Sequence, residues 1–427
     1  MRLPAGIETG KETVVSKRIA VVGAGQAGLQ MSLGLQAKGY DVTLLSNRTA
    51  EQIRSGKVMS SQCMFDTALQ TERDLQLNWW EHGCPPIEGI GVALTVPNGT
   101  REREFDWSAR LPRPAQSVDQ RIKMSAWMDE FARRGGDLRI LDVGIAELEV
   151  LSTTHDLVLL AAGKGEIVSR FERDGARSPF EAPQRALALT YVHGMTPKEP
   201  FSRVSFNLIP GVGEYFAFPA LTLSGPCEIM VFEAIPGGPM DIWAEARTPQ
   251  EHLKISKRIV REYLPWEAER CARIELTDDG GCISGRFTPT VRKPVLTLPS
   301  GRKVFGMADA VVVNDPITGQ GANNAAKCCK TYMDAIVARG DGPFDEVWMN
   351  ETFETYWSYA KYVVDWTNSL LTPPPAYVVD MLAAASRSPT LARAISSGFD
   401  DPREFYPWWS NAERNRAFVA RHLAEVA

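Results

Sequence analysis

No stretch of 18 apolar residues occurs in the chain, so no segment reads as a membrane-spanning helix. The opening residues, MRLPAGIETGKETVVS, also lack the apolar centre of a secretory signal, and the cytoplasm is the expected location. Histidine is scarce: the five, His82, His155, His193, His252 and His422, are scattered, with no His-Glu-x-x-His or His-x-His pattern. The seven cysteines form no Cys-x-x-Cys pair, and the adjacent Cys328 and Cys329 suit neither chelation nor an ordinary disulfide. No metal site is expected, and the thiols are read as reduced. An excess of positive charge is missing too. With 47 basic against 52 acidic residues the formal charge is -5, which argues against nucleic acid or an anionic membrane as partner.

What is present is the composition of a globular protein, 44% hydrophobic and 23% charged, in a chain of 427 residues. Single cores seldom grow beyond roughly 250 to 300 residues, so two intertwined domains are expected. Lys17 to Val22 is a β-branched apolar run that meets glycine and predicts a buried strand. A helix is predicted from about Ala27 to Lys38, stopped by Gly39, and Asp41 to Leu45 is a second apolar strand. That order is a parallel βαβ unit. From Gln52 to Pro114 the pattern is irregular, with turn signals at Pro85-Pro86, Asn98-Gly99 and Pro112-x-Pro114. Val118 to Arg134 has helical spacing and ends at Gly135-Gly136, and Asp156 to Ala162 returns as an apolar strand. Val204 to Ile209, Tyr215 to Leu221 and Glu228 to Ala234 alternate as an antiparallel sheet would. A helix is predicted over Pro249 to Tyr263 and a strand over Lys303 to Met307. After Gly321 the chain reads as mainly helical, broken at Pro373-Pro374-Pro375 and around Pro402 to Trp409.

Gly23-Ala24-Gly25-Gln26-Ala27-Gly28 is a Gly-x-Gly-x-x-Gly between a strand and a helix. Its glycines allow the tight turn, close helix–strand packing and backbone approach to a pyrophosphate at the helix N-terminus. The acid usual at the end of the second strand is missing, and Ser46, Asn47 and Arg48 stand there instead. A neutral hydroxyl or amide bonds a ribose without charge assistance, so looser cofactor binding is expected. A second glycine loop follows the strand that ends at Met307-Ala308-Asp309. It reads Asp315-Pro316-Ile317-Thr318-Gly319-Gln320-Gly321-Ala322-Asn323-Asn324 and opens a helix. Two such loops suit one long cofactor, FAD, with pyrophosphate at the first and the flavin ring at the second.

The chain resembles, from Lys17 to about Trp409, the oxygenase component of the two-component styrene and indole monooxygenases, the group E flavoprotein monooxygenases. The resemblance is carried by Gly23-Ala24-Gly25 with Ala27-Gly28-Leu29, by Ser178-Pro179-Phe180-Glu181 with Pro183-Gln184-Arg185-Ala186-Leu187, by Asp315-Pro316, by Gly319-Gln320-Gly321-Ala322-Asn323, and by Trp366-Thr367-Asn368. It implies FAD used as FADH2, delivered by a separate NADH-dependent flavin reductase. It further implies O2 as co-substrate, a flavin C4a-hydroperoxide, and epoxidation of a vinyl or indole double bond. NADH would act only through the partner, in keeping with Ala162-Gly163-Lys164 where single-component hydroxylases carry an Asp-Gly motif. The chain departs from the family after Ser55-Gly56, where Ser61 replaces a pocket asparagine and Phe65 a histidine. A different or bulkier aromatic substrate is therefore as well accommodated as styrene.

The resulting expectation is an α/β protein of aromatic-hydroxylase type. Residues 17–50, 115–175 and 300–345 would form a Rossmann-type FAD-binding domain, 51–114 and 176–299 an inserted substrate domain with a mixed or antiparallel sheet, 346–427 a helical C-terminal region, and 1–16 a flexible extension. Cofactor contacts are assigned to Gly23, Gly25, Gln26, Ala27, Gly28, Ser46, Asn47, Arg48, Arg121, Asp309, Pro316, Gly319, Gly321, Ala322 and Asn323. Arg121 is a candidate for the flavin ribityl or phosphate oxygens. By resemblance, Met59, Ser61, Cys63, Phe65, Phe216, Phe218 and Ile317 would wall an apolar pocket, with Ser61, Phe65, Ile317, Gly319 and Gln320 nearest the reaction. The pairs Trp79-Trp80 and Trp408-Trp409 are expected to be packed, with indole N–H groups satisfied. The partners implied are the reductase and a small apolar aromatic molecule, and a homodimer is one assembly compatible with the chain. A single-component NAD(P)H-dependent aromatic hydroxylase and a non-catalytic flavin-binding redox sensor remain as alternative readings.

Overall fold

The structure, a computed structural model, describes residues 17–96, 102–163 and 165–424. The expected extension over 1–16, the Asn98-Gly99 turn and Lys164 lie outside the described residues. Two sheets organise the molecule. The first has six strands in the order Val295–Thr297, Lys303–Gly306, Leu157–Leu160, Arg18–Val22, Asp41–Ser46, Asp137–Ile140, all parallel except the first. Its central strands are buried on both faces, as continuous apolar runs such as Ile19-Ala20-Val21-Val22 require. Helices Gln26–Ala37, Gln120–Arg133 and Gly321–Arg339 join its core through Leu29, Leu33, Trp127, Phe131 and Tyr332.

The second sheet runs Glu275–Leu276, Ala186–His193, Gly225–Ala234, Gly213–Thr222, Arg203–Ile209, Pro86–Thr95, Arg103–Gln116, with Cys282–Gly285 also on Ala186–His193. It is mixed, because Pro86–Thr95 pairs in parallel with Arg203–Ile209. The two-residue side-chain period gives it two apolar faces. Met230 and Phe232 pack beneath Ile259 and Val260 of helix Pro249–Tyr263, whereas Ile229 and Val231 face the other way, with Phe206, Phe216 and Phe218. That second face is covered by the C-terminal helices through Trp366, Met381, Leu391 and Ile395, together with Phe399, Phe405, Trp408 and Trp409. The site lies beneath this cover.

The segment from Gln52 to Pro114, irregular in sequence, contains most of a long hairpin of 10- and 14-residue strands. Its prolines obscure the pattern. Pro112 and Pro114 fall where the pairing skips from Gly89↔Arg110 to Ile87↔Ala115, on a strand at the edge of the sheet, where a missing N–H breaks no interior ladder. No described helix is long and apolar enough to cross a membrane.

Candidate active site

The strand Arg18–Val22 delivers Gly23 to the carboxyl edge of the parallel sheet. Gly23 has φ +114°, and a Cβ there would come within 2.8 Å of Ala162 N. A Cβ on Gly28 would meet Gly23 O at 1.8 Å, so both glycines are demanded by close backbone packing. Gly25 is different. Its φ of -88° suits any residue, and a Cβ there would have nothing within 4 Å. The side chain it lacks leaves free the space before the N-terminus of helix Gln26–Ala37, where four main-chain N–H groups of a helix have no internal partner. A pyrophosphate fits that cradle. Gly163 and Asp309 continue the same edge: a Cβ on Gly163 would stand 2.8 Å from Asp309 Cβ, and the Asp309 side chain is exposed.

The second loop begins with Asp315, whose Oδ1 accepts from Ile317 N at 3.1 Å and caps the turn Pro316–Thr318. Gly319 then takes φ +67°, which favours glycine, and neither Gly319 nor Gly321 would bring a Cβ within 4 Å of any atom. Open backbone thus fronts helix Gly321–Arg339 as it does the first loop, which meets the requirement for holding the other part of an FAD. The segment at 62–65 joins the two loops. Gln62 Nε2 reaches Gln26 Oε1 at 3.5 Å, while Asn323 donates to Cys63 O and accepts from Phe65 N, both at 2.8 Å.

Against the second loop lies a small cavity of about 20 Å³, room for roughly one water. Ser61, Cys63 and Phe65 form one wall, Phe216 and Phe218 another, and Pro316, Thr318 and Gly319 the floor. Ile317 is buried in the same apolar cluster. Burial pushes the Cys63 thiol up to about 12, so it lines the cavity as a neutral group. No side chain there has the makings of an activated nucleophile. A larger cleft of about 450 Å³ opens where Val192 pairs with Glu228; it is away from both glycine loops and carries the charged side chains Lys198, Arg203, Glu228 and Arg270 among its lining residues.

Several sequence assignments need correction. Arg121 is buried with its guanidinium saturated by Asp119, Asp278, Thr222 and Gly56 O, so it has no N–H left for a flavin or phosphate. The Gln26 side chain turns inward to Glu72 at 2.9 Å, leaving only its main chain at the loop. Ser46 uses its hydroxyl on Arg48, donating to the carbonyl and accepting from the N–H, rather than presenting it to a ribose. Arg48 is exposed and touches Met59 Sδ at 3.0 Å, which places Met59 against the first core and outside the apolar cavity. Asn323 and Gln320 are structural ties: the first clamps Cys63 and Phe65, the second donates to Phe399 O at 2.7 Å. Trp408 and Trp409 are packed as expected, but Trp79 is 46% exposed, with its N–H on Gln76 O. Gly23, Gly25, Ala27 and Gly28 share the first loop, Asn47 is exposed beside it, and Pro316, Gly319, Gly321 and Ala322 share the second. The sequence reading missed Val204, Phe206, Val231 and Thr318 in the cavity wall and Phe399 behind it. Phe206 and Val231 lie directly opposite Phe216 in the strand pairing, and Val204 is two residues from Phe206, so it is the register that puts all three on the cavity face.

The fold is that of flavin-dependent monooxygenases and halogenases. The flavin-dependent brominase Bmp2 superposes with a TM-score of 0.68 at 13% identity, over 96% of this chain and 100% of that one. A flavoprotein/dehydrogenase from Cytophaga hutchinsonii gives the same TM-score, identity and coverage. Sequence narrows the class. Residues 163–270 match the family described as "Styrene monooxygenase A putative substrate binding domain". Styrene monooxygenase StyA of Pseudomonas fluorescens is 27% identical over 425 residues, 97% of this chain and 100% of the relative. The chain is thus similar over nearly its whole length to the styrene monooxygenase oxygenases, and these relatives together with the fold support a flavin-dependent monooxygenase with FAD as its flavin.

Proposed function

We propose that the protein is the oxygenase half of a two-component system. It would take FADH2 from a separate NADH-dependent flavin reductase and use O2 to place one oxygen atom on an apolar aromatic substrate, an aromatic alkene or an indole-like ring. The observation that carries this reading is the aromatic-walled cavity on the floor formed by Pro316, Thr318 and Gly319. Reduced flavin, when bound, supplies the electrons that activate O2. The chain's own contribution is to bind, orient and keep dry. The main chain at Gly25 and the N-terminus of Gln26–Ala37 would hold the pyrophosphate, and Gly319 to Ala322 would face the ring system. Phe65, Phe216 and Phe218 would orient the substrate ring, while the C-terminal cover excludes water. In its described form the cavity is too small for an aromatic ring, so binding requires side-chain movement among these residues.

The test supplies FADH2 from any flavin reductase and screens indole, styrene and larger aromatic alkenes by mass spectrometry for the gain of one oxygen. Oxygenated product only when the reductase is present supports the proposal. Bleaching of FAD-loaded protein by NADH alone would make it a self-sufficient hydroxylase, and absence of product from every substrate class would overturn the oxygenase reading.

A further inference from the structure

The turn that floors the cavity is held from behind by an unusual carboxyl pair. Asp315 caps the turn with Oδ1, but its Oδ2 finds no donor, and neither does either oxygen of Glu233. Both residues are sealed from solvent, at 1% and 0% exposure. The two carboxyl groups are neighbours in this sealed space, close enough for each to act on the other's titration, and three of their four oxygens have no donor. Carboxylate oxygens are acceptors only, so such a contact needs a proton between them.

The surrounding charges do not remove that need. Glu214 stands directly opposite Glu233 on the neighbouring strand. It is already held by Arg185, whose Nε and Nη2 reach its two oxygens at 2.7 and 2.9 Å. The remaining Arg185 donor capacity goes to the carbonyls of Gln184, Leu370 and Leu371. One cation therefore faces three carboxyl groups, two of them fully buried and Glu214 only partly so, and unshared charge at that depth is costly.

We propose that Glu233 and Asp315 share a single proton, and that this proton fixes the turn Pro316–Thr318 against the cavity, making Glu233 a positioning residue for oxygenation. The inference rests on the reading of that cavity as the substrate pocket. Burial, above all, pushes both carboxyls above their usual range, and the neighbouring Asp315 raises Glu233 further. The folded state therefore keeps a proton that the unfolded chain releases. The stability this gives is complete below the ordinary carboxylate range and is lost as pH rises through the pair's folded value.

The experiment uses the full-length protein with Glu233→Gln and Glu233→Ala. The amide of Glu233→Gln donates to Asp315 without a titratable proton, and the alanine removes the donor. Burial pushes the Glu228 carboxyl up to about 7, so it adds a band of its own at neutral pH; infrared spectra should contain a further protonated-carboxyl C=O component that is lost in the parent-minus-Glu233→Gln difference. The melting temperature should fall with rising pH in the parent and stay flatter in Glu233→Gln. With flavin reductase and a mixture of aromatic alkenes, Glu233→Gln should keep the parent product ratio and Glu233→Ala should change it. An undiminished protonated-carboxyl signal in Glu233→Gln, or a parental pH slope in that variant, overturns the shared proton. An unchanged product ratio in a folded Glu233→Ala overturns the positioning role. If the parent itself forms no product, the oxygenase reading fails and takes the positioning role with it, while the band and the pH slope still decide the proton.

Discussion

At the scale of single residues, the three glycines of the first loop are required for different reasons. Gly23 and Gly28 serve the fold, since a Cβ on either would strike backbone, whereas at Gly25 it would meet nothing. Gly25→Val should therefore leave stability within about 0.5 kcal/mol of the parent yet obstruct the pyrophosphate. Thermal melts paired with flavin titration check this, and undiminished FAD affinity would remove the loop from the cofactor site. Ala308 presents the converse case. It holds φ +51° at the end of the strand Lys303–Gly306, a left-handed conformation that costs a non-glycine residue on the order of 1 kcal/mol. Ala308→Gly should raise the free energy of unfolding by up to about 1 kcal/mol, after the entropy of the added glycine is offset, and with it the denaturation midpoint. A lower midpoint would mean that the buried methyl contributes more than the strain takes away.

Between elements, the most exposed dependence is a buried ion pair. Lys123 of helix Gln120–Arg133 reaches Glu72 of helix Asp66–Asp74 at 2.8 Å, with both side chains out of solvent, and Glu72 also receives Gln26. Lys123→Met would strand Glu72 as a bare interior charge and should cost about 3 to 5 kcal/mol, largely recovered when Glu72→Gln is added. Chemical denaturation of the single and double variants measures this, and additive losses would refute the coupling. The same level explains what the sequence made legible. Helix Pro249–Tyr263 was readable to the residue because Thr248 and Glu251 form a capping box and proline opens the first turn. The strands ending at Gly23 and Met307 were readable because each apolar run meets a turn. The hairpin Pro86–Thr95 with Arg103–Gln116 was hidden by prolines that an edge strand tolerates. In the site, Phe65 and Phe216 were legible through the resemblance. Phe399 was not: its ring lies 6.0 Å from Phe65 and 5.3 Å from Phe206 only after the long intervening stretches of chain have folded back. Arg121 misled because its charge suited a phosphate while its two carboxylate partners lay at positions 119 and 278, and only the fold brings Asp278 to it.

For the whole molecule, cofactor and substrate are held by opposite kinds of surface, and each has a measurable consequence. No acid follows the second strand, and Ser46 is committed to its own turn. Oxidised FAD should therefore be weakly held and separate on gel filtration, so a protein that stays stoichiometrically yellow would contradict the site as drawn. The substrate side depends on where the core ends and the pocket begins, and Phe65 lies on that line. Its ring contributes to the aromatic cluster with Phe399 and also lines the cavity, while its main-chain N–H is fixed by Asn323. Because Asn323 holds the backbone, Phe65→Ala should empty space without displacing Cys63 or the second loop. As a pocket residue it should enlarge the cavity and alter the ratio of products from a mixture of aromatic alkenes, since pocket contacts set differences in transition-state binding. As a core residue alone it should cost roughly 3 to 5 kcal/mol and lower all products together. Its double placement predicts both effects, a destabilised protein with a shifted product ratio, read from melts and competition assays on the same preparation. An unchanged ratio in a destabilised variant would assign Phe65 to the core and move the specificity of the site to Phe216, Phe218 and Ser61.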